Sequence, residues 1–523
     1  MVACPWTKPE ESFGADVLLD LVTKDFSAVQ YYGPVPKSPL PVVGVAGLVV
    51  LFTSHSMAAL FVGRCLILDR FGSAIAAVSK ALRAYSFSSS AAFELAMTSC
   101  FHMTYYSSRP LHNVFGAILS MHGWGHFVSY VRRPSHECAV KAITWCSLVA
   151  AFIRVDQAPS TLAICAVIFL ISGLAPFRAA ASHCLVLGVV GVALDTVYWW
   201  GTPHHVLPVV MPELQSVLFN LRGSSEWGTS AWWWYGAKML DMLDPISLAS
   251  LVLSLPQLSR DFLSVPNRLW LGLPLPISVV LLFVPLTSIA VMSFLPHKEA
   301  RFVFPQLIQL VSIAAITRPV IAWPLVLLGL AKTALKVVCS VFAYPGGWAV
   351  AALLGAEGRS YFRIHRWVIR VLAALNLIQW KDWAYLELQP AAPPKLAVLS
   401  RDAAATGGIR FLLEGIPYVI ESPLCDPKTL MEGTAPNFLF ESPDLWAACG
   451  DADWVLGPCA PPNFIQVADV PVFDGLDFIS LTIKLKSAVK LYVKRTSASA
   501  REPQIRPDAR GFNPSATDQQ LPT

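Results

Sequence analysis

His297, Lys298, Glu299 and Arg301 crowd into one short stretch, Phe294 to Pro305, between two long apolar runs. Together three of them suit a phosphate: arginine offers a planar fork of donors, lysine a point charge, and histidine a ring that donates or accepts. Glu299 keeps the cluster from being purely cationic. The same residues also suit a plain membrane boundary, where basic side chains mark the end of a bilayer helix.

A second candidate group is the pair Glu10 and Glu11, in the run Pro5 to Phe13. Adjacent carboxylates raise one another's pKa, which suits a general base, although an acidic patch capping a short helix has the same composition. Arg109 lies in the polar stretch Tyr105 to Asn113, and Arg154 stands beside Asp156 at the end of an apolar run. Such charges either snorkel or face a polar cavity. Asp195, His204, His205, Glu213 and Trp227 belong to a further polar stretch that ends in Trp232, Trp233, Trp234 and Tyr235. Those aromatic residues suit either an interfacial belt or a surface for a sugar ring and a polyprenyl chain. His204 and His205 carry little weight as metal ligands, because adjacent histidines rarely face one ion.

The elements that position these groups must be mostly membrane helices. Of the 523 residues 55% are hydrophobic and 14% charged, with a mean hydropathy of +0.54. Soluble proteins carry about 25% charge, so the composition is that of a polytopic membrane protein. A net charge of only +5, dispersed between apolar runs, argues against a nucleic-acid partner. Eleven cysteines without a CxxC pair read mostly as small hydrophobes, while Cys425, Cys449 and Cys459 lie in more polar sequence that would allow a disulfide.

Hydropathy predicts about ten spans, at 41–63, 88–106, 112–131, 138–155, 160–177, 182–200, 231–255, 271–295, 302–316 and 319–342. Basic residues sort the connections so that residues 1–40, Arg109, the 201–230 stretch and the His297 cluster share the luminal side. To keep that parity, residues 70–83 must lie in the cytosolic interface without crossing. The predicted domains are 1–40, a luminal loop with the carboxylates; 41–342, the multi-span helical region; 343–495, a small luminal domain with strand-like runs at Phe478 to Leu485 and Leu491 to Val493; and 496–523, a disordered tail.

The run His297 to Phe302 resembles the HKExRF signature of mannosyltransferases that use dolichyl-phosphate-mannose. Further stretches are similar to the same family, glycosyltransferase family twenty-two of GT-C type. They are Cys4 to Phe13 (family CPYTKVEESF), Ser224 to Ser230 (SSNWGTS), Tyr106 to Asn113 (YCTRTLPN), Asp195 to Trp199 (DSYFW), Tyr344 to Gly347, and Ala403 to Gly407 ahead of Arg410-Phe411. The first two are most similar to members that add an α-1,6 mannose to a heptamannosyl lipid-linked oligosaccharide during N-glycan precursor assembly. The resemblance implies an endoplasmic-reticulum membrane enzyme with a luminal active site, a dolichyl-phosphate-mannose donor and a dolichyl-pyrophosphate oligosaccharide acceptor. It implies an inverting transfer with Glu11 or Glu10 as base. His297, Lys298, Arg301, Arg109, Arg154, Asp195 and Trp227 then serve the substrates and their phosphates. A lipid-phosphate leaving group calls for no metal or other cofactor.

Departures are local. The family carries an apolar span ahead of the Cys4 to Phe13 motif, which implies that a segment is missing there. Its ESFNxQAxHD becomes Glu11 to Asp20, keeping Asp20 and losing the amides and the histidine, and residues 356–392 read as an insertion, an extra interfacial helix or a retained intron. Other readings stay open: a family member with a glycosylphosphatidylinositol or other acceptor, a transporter, or an inactive relative.

Overall fold

In the computed structural model of the chain the helices fall on the apolar runs, although several begin or end away from the predicted bounds. The structure describes residues 9–24, 38–53, 56–200, 211–222, 229–270, 275–341, 360–375, 377–379, 397–400, 418–421, 454–457, 464–477 and 482–494. They divide into two compact units, Phe13–Lys336 and a second made of Met1–Ser12 with Val337–Thr523.

The larger unit is helical, and its first and last helices run a few residues past its bounds at Phe13 and Lys336. Its elements are α1 (Pro9–Thr23), α2 (Leu40–Val49), α3 (Ser56–Arg83), α4 (Phe87–Ser99), α5 (Phe101–Tyr106), α6 (His112–Arg132), α7 (His136–Leu148), α8 (Ala158–Ser172) and α9 (Ala175–Trp200). There follow α10 (Pro212–Arg222), α11 (Trp234–Met242), α12 (Pro245–Trp270), α13 (Ile277–Ser293), α14 (Phe304–Thr317) and α15 (Trp323–Val341). Among the described residues five stretches are long and apolar enough to cross a bilayer: His136–Ile153, Val155–Ser172, Ala175–Trp199, Ala300–Thr317 and Trp323–Ser340. The mainly helical, membrane-spanning fold class expected from composition is the one observed.

Several predicted spans are divided, 160–177 among them, since α8 ends at Ser172 and α9 begins at Ala175. The stretch 41–63 breaks between α2 and α3, and 88–106 breaks at Cys100, whose backbone is extended. The stretch 231–255 breaks at Leu243 and Asp244, because Asp244 caps α12: its Oδ1 accepts the Ile246 and Ser247 amides at 2.9 and 3.0 Å. Residues 70–83 are not a separate in-plane helix. They continue α3, a single helix of 28 residues. Nothing between Gly63 and Arg70 breaks a helix, and the charge that suggested a boundary, Arg64, is buried at 4% exposure.

Two close approaches fix the helices around the core that contains Trp124, Phe127 and Tyr130. A Cβ on Gly123 would sit 2.6 Å from Cys146 Sγ on α7, and one on Gly125 would sit 3.2 Å from the Ala77 carbonyl on α3. Glycine at these positions lets α6 lie against both neighbours.

The second unit carries α16 (Ser360–Ala374) and the strands β1 (Ile378–Gln379), β2 (Ala397–Ser400), β3 (Tyr418–Glu421), β4 (Trp454–Gly457), β5 (Phe464–Asp477) and β6 (Thr482–Lys494). They form one sheet in the order β1-β6-β4-β2-β3, with β5 also paired to β6. The long antiparallel β5–β6 pair runs from Phe464↔Lys494 to Asp477↔Thr482. Strand β6 includes Leu491 to Val493 and the second half of the other strand-like run; Phe478 to Leu481, Cys425, Cys449, Cys459 and the tail 496–523 lie outside the described residues. Helix α16 falls within the stretch read as an insertion.

Candidate functional site

The HKExRF stretch occupies the connection between two apolar helices. Helix α13 ends at Ser293, a turn follows, and a 3-10 turn Ala300–Val303 leads directly into α14, where Pro305 sits in the first helical turn. Proline fits there because its missing N–H has no partner to lose. The turn is pinned from two sides: Ser230 N donates to the Pro296 carbonyl at 3.0 Å, and Asn113 Nδ2 on α6 donates to the Arg301 carbonyl at 3.1 Å.

Within it, Glu299 is the hub for charge. Its Oε1 is 3.1 Å from His297 Nε2, and its Oε2 pairs with the Arg301 guanidinium. These three side chains retain 21 to 28% exposure, so the group is reachable. Phe302 is the hub for packing. Its ring meets the His297 ring edge-on at 6.0 Å and lies under two guanidiniums, Arg301 at 6.0 Å and Arg154 at 5.3 Å.

Arg154 comes from 148 positions earlier in the sequence, in an extended residue between a π-helical turn, Val149–Ile153, and a 3-10 turn, Val155–Gln157. Its Nε donates to Asp156 Oδ2 at 3.1 Å, and a second donor of the same guanidinium also reaches that oxygen. Burial disfavours its charge, but Asp156 first, then Glu213 and Glu299, outweigh burial and hold its pKa above the usual arginine value. Gly116 on α6 makes room for it: a Cβ there would fall 2.9 Å from Arg154 Cγ. Glu213, at the start of α10, accepts the Val155 amide at 2.7 Å and so fixes the turn that carries Arg154.

The arrangement is preorganised for an oxyanion. Each arginine uses part of a five-donor fork on its carboxylate, which orients the plane, and the ring of Phe302 supports both. Lys298 behaves differently: it is buried and donates to the Ser230 and Leu295 carbonyls at 2.9 and 2.6 Å. That contact clips the Ser230 segment to the turn, and burial moves the ammonium's pKa down.

Other sequence candidates lie elsewhere. Arg109 is buried in the turn after α5, with its guanidinium 4.3 Å over the Tyr105 ring. The following Pro110 carbonyl faces Gly14 on α1 so closely that a Cβ at Gly14 would be 1.9 Å from its oxygen. Asp195 is buried in a second polar group: Ser38 Oγ donates to its Oδ1 at 2.6 Å, and His112 Nε2 is 2.8 Å from the Ser38 carbonyl. One turn along α9, Tyr198 donates to Asp20 at 3.0 Å. Glu10 and Glu11 occupy the first turn of α1, with side chains outside the described residues; Trp227, His204 and His205 lie outside them altogether.

Sequence reasoning passed over Phe302, Gln157 and Gln306. Gln157 Nε2 donates to Asp156 Oδ1 at 3.1 Å, and Gln306 Nε2 lies 3.0 Å from Gln157 Oε1, 2.9 Å from Ser160 Oγ and 2.9 Å from Ser288 Oγ. A glutamine inside an apolar run was the available signal.

Residues 40–352 match the model of the Alg9-like mannosyltransferase family. A Schizosaccharomyces pombe (strain 972 / ATCC 24843) protein named as a probable Dol-P-Man:Man(7)GlcNAc(2)-PP-Dol alpha-1,6-mannosyltransferase is 26% identical over 417 residues, covering 73% of this chain and 69% of its own length. A Drosophila melanogaster protein with the same name, without the qualifier, is 28% identical over 331 residues, which is 59% of this chain and 44% of its own length. Among solved structures, ArnT from Cupriavidus metallidurans in the apo state has 13% identity and a TM-score of 0.49, covering 93% of both chains. The same protein bound to undecaprenyl phosphate has 11% identity and a TM-score of 0.49, covering 94% of this chain and 95% of its own.

Proposed function

The chain belongs to the Alg9-like mannosyltransferase family, and from that premise we propose that it moves mannose from dolichyl-phosphate-mannose to Man(7)GlcNAc(2)-PP-dolichol in α-1,6 linkage, in the endoplasmic-reticulum membrane with the site on the luminal face. The observation that carries the chemistry is the gathering of His297, Arg301 and Arg154 around Phe302, with Glu299 and Asp156 orienting the guanidiniums. The names of the yeast and fly relatives support the donor and acceptor.

In this reading Glu11 or Glu10 takes the proton from the acceptor C6 hydroxyl, whose oxygen attacks the anomeric carbon of the β-linked donor. The bond from that carbon to the phosphate oxygen breaks, the configuration inverts to α, and the leaving dolichyl phosphate gains negative charge. His297, Arg301 and Arg154 meet that charge, with the remaining Lys298 donor in support. Asp195 and Trp227 hold the substrates. The test is the lipid-linked oligosaccharide profile of cells lacking this protein. Accumulation of the heptamannosyl lipid, cured by the wild type and not by Arg301→Ala, is the expected result; an unchanged profile on deletion would remove this acceptor.

A further inference from the structure

Two lysines of α15, Lys332 and Lys336, lie in an apolar stretch long enough to span a bilayer, where an uncompensated ammonium is costly. Their position is set by close packing. A Cβ on Gly329 would meet Ser99 Cβ at 2.9 Å, and Thr333 Oγ1 donates to the Ser99 carbonyl at 2.7 Å, so this side of α15 lies against the junction of α4 and α5. Lys332 Nζ then reaches the Asp241 and Leu243 carbonyls at the end of α11, at 2.8 and 3.4 Å, and among the described residues it bonds no carboxylate. Asp241 itself is shared: Lys238 Nζ is 2.9 Å from one carboxylate oxygen and Lys336 Nζ 3.3 Å from the other. The neighbouring Asp244 is engaged in capping α12. Lys238, Lys336 and Asp241 keep 30 to 45% of their side-chain surface open.

An aromatic ladder leads from this corner toward the Phe302 cluster. Lys336 Nζ lies 5.6 Å from the Phe101 ring, Phe101 stacks on Tyr105 at 5.0 Å, and Tyr105 carries Arg109 at 4.3 Å. One turn beyond, Asn113 holds the Arg301 carbonyl. Basic groups therefore bracket α5 at both ends. We infer that Lys238, Lys332 and Lys336 form a second anion site, which takes the phosphate or pyrophosphate head of a polyprenyl lipid while the Phe302 cluster takes another. Lys332 supplies the fixed charge, and the half-open Lys238 and Lys336 close on the ligand. The site stands on this geometry; only the identity of the lipid rests on the proposed reaction, whose two lipid substrates each carry a phosphorylated head.

The experiment is equilibrium binding to the full chain in neutral phosphatidylcholine nanodiscs, read by native mass spectrometry. The probes are a short polyprenyl phosphate, its pyrophosphate and phosphatidylserine. Because Lys332 also caps α11, the deciding variant is Lys238→Gln with Lys336→Gln, two open positions. The wild type should bind two polyprenyl phosphate or pyrophosphate molecules. The lysine variant should weaken one by at least about tenfold, the effect of losing one charge-assisted hydrogen bond. Arg301→Ala should weaken the other, and Lys238→Arg with Lys336→Arg should keep both. Equal binding of phosphatidylserine would keep the site and make its source bulk anionic lipid. Unchanged binding by the glutamine variant, or the same loss in the arginine variant, would overturn the inference. A chain that binds two lipids and transfers no mannose would fail the proposed reaction alone; one that transfers mannose and binds a single lipid would fail this site alone.

Discussion

Two polar groups stand side by side at the start of α14 and differ in almost every respect. Around Phe302, the side chains are charged, paired in opposite signs and partly open; four residues later Gln306 is neutral, has no exposed surface and ties α8, α13 and α14 together. A neutral amide inside a bundle carries no charge penalty, and Gln306 spends its Nε2 on three neighbouring oxygens, so it suits a joint. Ion pairs at a helix end present oriented charge to an incoming anion, so they suit a site. Gln157 touches both groups, through Asp156 on one side and Gln306 on the other.

The contrast breaks if both groups respond alike to substitution. Arg154→Ala is the most severe change, because it removes the ion-pair partner of the largely covered Asp156 carboxylate and leaves it the Gln157 amide; thermal unfolding of the purified protein should show a loss of about 3–5 kcal/mol, with transfer lost as well. Arg301→Ala acts on a more open pair, and should leave the melting curve nearly in place while transfer falls about 100-fold. Gln306→Leu should do the reverse. It unties three helices, so stability falls by about 1–3 kcal/mol while transfer per folded molecule changes little. The smallest effect is Gly116→Ala, where a new methyl presses on Arg154 Cγ and costs about 1 kcal/mol, with a higher KM for the donor as the guanidinium shifts. A Gln306→Leu protein that melts normally but transfers nothing would erase the distinction.

What the sequence could reveal tracks how local each feature is. His297 to Phe302 is contiguous, so its chemistry was visible in one stretch. The partnership of Arg154 with Phe302 joins distant segments, and only the fold brings them together. Lys298 looked equivalent to Arg301 in the motif, yet the backbone turn sends it to the Ser230 and Leu295 carbonyls. Window hydropathy located α6 and α14 well, because apolar residues dominate each from end to end in spite of single polar side chains such as Gln306. It joined α11 to α12 across Asp244, since one carboxylate barely moves an average, and the capping hydrogen bonds that break the helix have no hydropathy signature. Averaging likewise concealed Lys332 and Lys336. Parity of basic residues misled at α3, where Arg64 is buried and not at a boundary.

In the proposed reaction the Phe302 cluster receives the departing lipid phosphate. That role is tested most directly by single-turnover transfer from dolichyl-phosphate-mannose to the heptamannosyl lipid, comparing wild type with Arg301→Ala and Arg301→Lys. The chemical step should be about 100-fold slower in Arg301→Ala and partly restored in Arg301→Lys, with folding intact in both. Wild-type rates in Arg301→Ala would contradict it.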